Sequence, residues 1–251
     1  MTGSEGTQVL DLAGVDPTNI PQHVGLILDG NGRWANQRGF DRTVGHAAGE
    51  AALFSVIDAA LALGIKWLTA FTFSTENWTR SESEVEFLMF FNRDILERRR
   101  DELHAKGVAM HFMGILDDPR VPDRNREIMA DAESMTANND RLHVVFAFNY
   151  GGRADIAQAA RKAAALVATG DIRPDDVDEA LIGSLIGIPG MPDADLIVRS
   201  SGEHRISNFL LWQAAYSELV FPNILWPDYD AQALVDSVVE YQGRVRRFGS
   251  A

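Results

Sequence analysis

Asp29 ends an apolar run, Val24 to Leu28, and is followed at once by Gly30-Asn31-Gly32. Arg33, Arg38, Arg42 and His46 come shortly after. The run has strand length, and the three small residues suit a tight turn with positive φ. A carboxylate thus sits where a buried strand stops, on a turn whose amides can approach an anion, with four potential cations behind it. That set suits Mg²⁺ with a phosphate group: the carboxylate takes the hard cation through oxygen, and the guanidiniums take the remaining phosphate oxygens. A strand, a Gly-rich turn and surface arginines also occur together with no ligand, so the reading needs support elsewhere in the chain.

Three further loops supply it. Ser74-Thr75-Glu76-Asn77-Trp78-Thr79-Arg80, Asn149-Tyr150-Gly151-Gly152-Arg153 and the stretch from Arg199 through Glu203, His204 and Arg205 to Asn208 each end an apolar run. Each is polar and carries an arginine. In parallel α/β sheets ligands bind beyond the carboxyl ends of the strands, so these loops predict an anion site at one sheet edge. The arginine clusters after the first and fifth strands predict two anionic groups.

Several of these residues have ordinary uses. Ser74 and Asn77 are of helix-capping type, but Ser81 or Ser83 stands nearer the next helix start, which leaves Ser74, Glu76 and Asn77 for a ligand. Trp78 has the composition of a core residue in a polar loop. Glu218 lies between the aromatic stretch 212–216 and Leu219-Val220-Phe221, where it needs a partner, either a metal or a salt bridge. His104, His111 and His143 are given no role.

The elements that must position these residues are strands over 23–28, 66–73, 108–113, 142–148, 195–199 and 218–221, with helices over 43–64, 83–106, 121–137, 152–168, 174–186 and 230–247. Alternating strands and helices predict an α/β fold with a mostly parallel six-stranded sheet flanked by helices. The strand cores VGLIL, WLTAFTF and LHVVFAF are apolar almost throughout, as strands buried on both faces are. No repeat or linker divides the chain, so a single domain is expected over 21–251 behind a flexible, acidic lead-in over 1–20. The helix over 83–106 holds five consecutive apolar residues, Phe87 to Phe91. One face needs fewer, so the helix is either buried on two sides or lines a cavity for an apolar tail.

Bulk properties narrow the class. A net charge of −13 over 251 residues argues against a nucleic-acid binder and makes the arginine clusters stand out. The absence of cysteine excludes disulfides, thiolate catalysis and Cys-ligated zinc, and fits a cytoplasmic location. No uninterrupted apolar run has membrane-spanning length, and the first residues have no signal-peptide pattern. At most peripheral membrane contact is expected.

HVGLILDGNGRWA, the later GH at 45–46, FSTENW at 73–78, NYGGR at 149–153 and RSSGEHRISNFLLWQAAYSELVF at 199–221 together resemble the cis-prenyltransferases, the family of the undecaprenyl diphosphate synthases. The motifs keep the family's order over about residues 21 to 249. The resemblance implies a single α/β domain with an apolar tunnel, unlike the helical bundle of trans-prenyltransferases. It implies a homodimer, a need for Mg²⁺, and condensation of isopentenyl diphosphate with an allylic diphosphate to form a new Z double bond. By position, Asp29 resembles the aspartate that holds Mg²⁺ and helps the allylic diphosphate leave. Gly30, Asn31, Gly32, Arg33, Arg42 and His46 resemble its cradle, with Trp34 beside it. Ser74, Thr75, Glu76, Trp78 and Arg80 match the loop that closes over the substrates. Asn77 matches the residue implicated in removing the C2 proton of isopentenyl diphosphate. Arg199, Arg205, Ile206 and Ser207 match the isopentenyl diphosphate site. Glu218 matches a second metal contact, potentially across the dimer, and His204 is a weaker metal candidate.

Two departures bear on the outcome. Arg80-Ser81 stands where the family often has Arg-Pro. Phe87 stands where long-chain members tend to have a small residue, and Thr72 replaces a smaller residue in the same wall. The expectation is that Phe87 blocks the tunnel and holds the product to about C10–C20. Alternatives are a long-chain undecaprenyl or decaprenyl diphosphate synthase, or a branched, head-to-middle condensation of dimethylallyl diphosphate. A phosphatase using Asp29 as nucleophile would place a second aspartate where Asn31 stands. A non-catalytic subunit would not need Asp29, Asn77, Arg199, Arg205 and Glu218 together.

Overall fold

The computed structural model describes residues 10–244. In chain order the elements are β1 (His23–Ile27), α1 (Asn31–Gln37), α2 (Arg42–Leu63), β2 (Trp67–Ser74), α3 (Glu82–Ala105), β3 (Val108–Met113), α4 (Asp123–Thr136), β4 (Leu142–Tyr150), α5 (Gly152–Thr169), α6 (Glu179–Leu185), β5 (Leu196–Arg199), β6 (Glu218–Val220) and α7 (Ala231–Gln242). The strands form one sheet in the order β3-β4-β2-β1-β5-β6, and every neighbouring pair is parallel. The sheet is thus wholly parallel where the sequence predicted mostly so. All carboxyl ends point to one edge. The order turns about β1, with β2 on one side and β5 on the other, and this is where such sheets open a crevice.

Alternate strand residues feed opposite layers. Leu26, Leu68, Val144, Phe146 and Val198 join α2, α4 and α7 in the larger core. Ile27, Val145, Ala147 and Ile197 pack with Phe209 and Leu210 on the other face. By length and composition α2 could cross a membrane, but its buried residues, Leu53, Val56, Ile57 and Ala60 among them, belong to this core.

Three segments differ from the sequence expectation. The Gly30-Asn31-Gly32 turn is one residue long: Gly30 keeps a positive φ of 112°, while Asn31 and Gly32 already belong to α1. Glycine and asparagine are poor helix formers, and α1 is held instead by α2. A Cβ on Gly45 would lie 2.1 Å from the Asn31 carbonyl oxygen, so only glycine lets the two helices meet. The helix over 174–186 divides into a 3₁₀ turn at Pro174–Asp176 and α6, because Asp178 caps the second piece by accepting the Leu181 N–H at 2.8 Å. The lead-in over 1–20 is described from residue 10, and there it runs along α7. Gln242 Nε2 donates to the carbonyls of Asp16 and Asn19 at 2.8 and 2.9 Å, and the Asp11 amide donates to Gln232 Oε1 at 3.0 Å. Residues 1–9 and the tail of the expected final helix, 245–247, lie outside the described residues.

Candidate active site

Gly30 bends the chain out of β1 against Leu225, whose Cα a Cβ would approach to 3.0 Å. The turn leaves Asp29 at the sheet edge beside the end of β5. Ser200 Oγ accepts the Asp29 amide at 3.0 Å and donates to the Asp29 carbonyl at 2.7 Å, fixing the two strand ends together. Arg199, itself buried, donates through Nη2 to Asp29 Oδ2 at 2.8 Å and through Nη1 to Ser207 Oγ at 2.6 Å. Arg33 Nη2 stands 3.3 Å from the same Asp29 oxygen and donates to Ser201 Oγ at 2.6 Å. Burial pushes the Asp29 carboxyl up, but Arg199, Ser201 and Arg33 outweigh it and hold the group below its ordinary range. Asp29 is ionised at neutral pH.

A second charged cluster faces it. Glu84, in the first turn of α3, takes Arg80 at 2.7 Å and Arg42 at 3.3 Å on one oxygen, Oε1. His46 Nε2 stands 3.9 Å from that oxygen, too far for a hydrogen bond. Burial, with Arg80 and Arg42 adding to it, pushes His46 down to about 4 against the opposing pull of Glu84. Its imidazole is neutral at neutral pH.

The loop after β2 is a 3₁₀ turn, Thr75–Thr79, in which Ser74 and Asn77 cap each other. The Asn77 Oδ1 accepts the Ser74 N–H at 3.0 Å. Ser81 caps α3, as the sequence indicates, accepting the Glu84 N–H at 3.4 Å. Glu76 Oε1 accepts Asn208 Nδ2 at 2.9 Å, which joins this loop to the one after β5.

A cavity of about 770 Å³ opens between these loops and runs under the sheet face. Asp29, Gly30, Asn31, Gly32, Arg33, Arg42, His46, Ser74, Glu76, Asn77, Arg80, Arg199 and Ser207 line its mouth; Leu53, Leu88, Ile95, Leu96, Phe112, Met129, Phe146 and Phe148 line its interior. Arg199 Nε, His46 Nε2 and Asn31 Oδ1 are buried there without a hydrogen-bond partner. Unpaired buried polar atoms are costly; Arg199 Nε, and His46 Nε2 in its N–H tautomer, can donate to an anionic guest, whereas Asn31 Oδ1 only accepts.

Other sequence candidates stand elsewhere. Trp34 turns away on α1 and donates to Asp228 Oδ1 at 2.7 Å. Trp78 donates to Asn149 Oδ1 at 2.7 Å and packs edge-on against Phe73, a structural role. Thr75 bonds Glu76. Arg205 lies outside the mouth, 2.6 Å from Glu203, which in turn holds Arg33 at 3.2 Å. Ile206 packs into the second core, and His204 stacks on Phe221 at 5.0 Å. Glu218 opens β6 in register with Leu196, three residues before Arg199, so about 10 Å back along the strand. There it pairs with Arg244 at 3.0 Å. Within one chain it does not join Asp29. Phe87 is packed against the larger core with its ring 6.1 Å from that of His46, and it does not line the cavity.

The structure adds residues that sequence reasoning passed over. Asn36 lines the mouth and Glu50 the wall, while Glu84 is the hub of the second cluster; Arg153 and Asn208, which the sequence placed in strand-end loops without a role of their own, also line the mouth. Glu84 had a local signal, its i+4 spacing from Arg80.

Among the described residues no group of three or more histidine or acidic side chains could hold a metal. The mouth offers the Asp29 carboxylate among Arg33, Arg42, Arg80 and Arg199, with Glu76 on the adjoining loop. Mg²⁺ is commonly held by one or two carboxylates plus substrate phosphates, so this donor set fits Mg²⁺ that is shared with a phosphorylated ligand.

A wholly parallel sheet with a carboxylate and arginines at its strand ends, set over an apolar cavity, defines an α/β enzyme for anionic head groups on apolar tails. The family model described as "Putative undecaprenyl diphosphate synthase" matches residues 27–249. The trans,polycis-polyprenyl diphosphate synthase ((2Z,6E)-farnesyl diphosphate specific) of Thermobifida fusca is 50% identical, over 92% of this chain and 82% of its own. The decaprenyl diphosphate synthase of Mycobacterium leprae is also 50% identical, over 92% and 78%. The crystal structure of lavandulyl diphosphate synthase from Lavandula x intermedia, in complex with dimethylallyl diphosphate, superposes with a TM-score of 0.90 at 38% identity, covering 93% of this chain and 100% of that one. The chain belongs to the cis-prenyltransferase family and is a prenyltransferase.

Proposed function

We propose that this enzyme condenses isopentenyl diphosphate with an allylic diphosphate to give a (Z)-prenyl diphosphate, with Mg²⁺ as cofactor. The observation that carries the reading is one cavity joining a cationic mouth to an apolar interior. Gly30, Asn31, Gly32, Arg33, Arg42 and Arg80 take the allylic diphosphate, and Arg199 with Ser207 takes that of isopentenyl diphosphate. Arg199, touching both Asp29 and Ser207, sets the two head groups side by side, and such positioning supplies much of the acceleration. Asp29 would hold Mg²⁺, which when bound neutralises charge developing on the leaving diphosphate. Asn77 is an amide and a poor base; the released diphosphate is the better acceptor for the C2 proton. Glu218 completes the metal site only from a second copy in a homodimer.

Two product lengths compete. A block by Phe87 favours about C10–C20. The cavity wall instead runs past Phe87 to Ile95, Leu96 and Met129, which favours the longer product. The test is incubation with Mg²⁺, radiolabelled isopentenyl diphosphate and dimethylallyl, geranyl or farnesyl diphosphate in turn, followed by sizing and stereochemical assignment. Elongated Z products support the reading. Free alcohol, or no elongation with any primer, overturns it.

A further inference from the structure

We infer that Glu50 helps set product length: its ion pairs with Arg98 and Arg99 close the seam between α2 and α3 against the growing prenyl chain. The inference rests on the function proposed above.

Glu50 sits on α2 one turn past His46, and it lines the cavity between Gly49 and Leu53. Its side chain is 10% exposed. Arg98 reaches it with two nitrogens, Nη1 to Oε1 at 3.1 Å and Nη2 to Oε2 at 2.8 Å, and Arg99 Nε adds 3.1 Å to Oε1. Asp94 and Glu102 brace the two arginines at 2.8 Å each, and the Arg99 guanidinium lies 4.7 Å over the Phe54 ring. Burial pushes the Glu50 carboxyl up, but the two arginines outweigh it and keep the group ionised.

Arg98 and Arg99 lie one turn beyond Ile95 and Leu96 on α3, so they continue the strip of that helix that lines the cavity. Their side chains are 46% and 34% exposed, so solvent lies directly behind the clasp. An apolar residue at position 50 would pack this wall without desolvating an ion. A carboxylate here is not what packing demands. Its effect is a wall that an apolar chain tip cannot push aside, because parting the pair would leave a buried charge uncompensated. A chain that reaches it must stop or turn inward.

The test is the product-length distribution from isopentenyl diphosphate and an allylic primer for the wild type, Glu50→Ala, Glu50→Gln and Arg98→Ala, each checked for folding by circular dichroism and Tm. Glu50→Ala and Arg98→Ala should lengthen the mean product by at least about one isoprene unit, since space and a side exit are opened; the isosteric Glu50→Gln should lengthen it less. A purely structural clasp would lower Tm and rate and leave length unchanged. If Glu50→Ala fails to fold, Arg98→Ala, at a half-exposed side chain, decides the matter. A wild type that elongates, with folded variants of unchanged product length, overturns this inference alone. A wild type that forms no product overturns the functional reading and this inference with it.

Discussion

The Arg199 guanidinium lies 2.8 Å from the Asp29 carboxylate and ties the end of β5 to the end of β1. Arg199 is buried and Asp29 partly so, so the pair is a fixed part of the site. Asp29→Asn removes the charge that Arg199 faces while keeping the shape. Stability should fall by about 1–3 kcal/mol, and condensation should slow by roughly 10³-fold as leaving-group stabilisation goes. Tm and single-turnover kinetics read the two effects separately. An Asp29→Asn enzyme with near-normal turnover would remove Asp29 from the chemistry.

Glu84 gives a second prediction. Its oxygen occupies both Arg80 and Arg42, the cations proposed above to take the allylic diphosphate. Glu84→Gln keeps an acceptor of similar shape and withdraws the competing charge. The arginines are partly exposed, which limits the gain to about 1 kcal/mol, or roughly fivefold tighter binding of inorganic pyrophosphate. Calorimetry at two salt concentrations checks it, with the gain shrinking at the higher. Weaker binding in the variant would mean that Glu84 aligns the arginines and does not compete for them.

Much of this site was legible because its signals are local. Apolar runs that stop at Asp29, Ser74, Asn149 and Arg199 mark strand ends whatever the tertiary structure. A parallel sheet then brings those ends together, and Ser81 lies at its helix start. What stayed hidden depends on orientation or on distant partners. Trp34 and Trp78 sit beside site residues in sequence, yet the turn each follows points its ring at Asp228 or Asn149. Glu50 meets Arg98 across 48 residues. α1 is stabilised by contact with α2, so its own composition reads as a turn.

Acid should weaken the fold in a defined window. Burial holds His23 and His46 at about 4, below their ordinary value of 6.5. His23 bonds through both ring nitrogens, to the Pro192 carbonyl and to Thr69 Oγ1, each at 2.8 Å. With Nδ1–H donating to the carbonyl, Nε2 accepts from the Thr69 hydroxyl; a proton on Nε2 would reverse that bond, so it is the burial of the charged ring that resists protonation. The folded pKa is the lower one, so the unfolded chain takes protons that the folded chain refuses. Stability is therefore full above pH 6.5 and declines as pH falls toward 4, by up to about 1.4 kcal/mol per pH unit for each histidine. Urea midpoints at neutral pH and near pH 5 test this, and His46→Asn should flatten the dependence. Equal midpoints would refute it.

Phe87 and Leu96 separate the two product lengths. Leu96 lines the interior and Phe87 does not. Phe87→Ala should leave the product distribution unchanged, while Leu96→Trp should shorten it by filling the tunnel. Reversed-phase chromatography of dephosphorylated products resolves both. A longer product from Phe87→Ala would restore the block inferred from sequence.

Gly45 carries the last prediction, because it joins a packing constraint to the anion site. A Cβ at Gly45 would stand 2.1 Å from the Asn31 carbonyl oxygen and 3.2 Å from Ala35 Cβ. A backbone oxygen cannot rotate away, so Gly45→Ala must displace α1 as a unit. Overpacking of this kind costs about 1–3 kcal/mol, a Tm loss of about 2–4 °C per kcal/mol. α1 also carries Asn31, Gly32 and Arg33, so pyrophosphate binding should weaken along with Tm. Gly39→Ala is the control. That glycine also has positive φ, 71°, but nothing lies within 4 Å of its added Cβ, so it pays backbone strain without moving α1. Loss of Tm in both variants with loss of pyrophosphate affinity only in Gly45→Ala would locate the effect in the α1–α2 contact. Normal affinity in Gly45→Ala would mean that the mouth tolerates a shifted α1, and that Arg33 is not held by it.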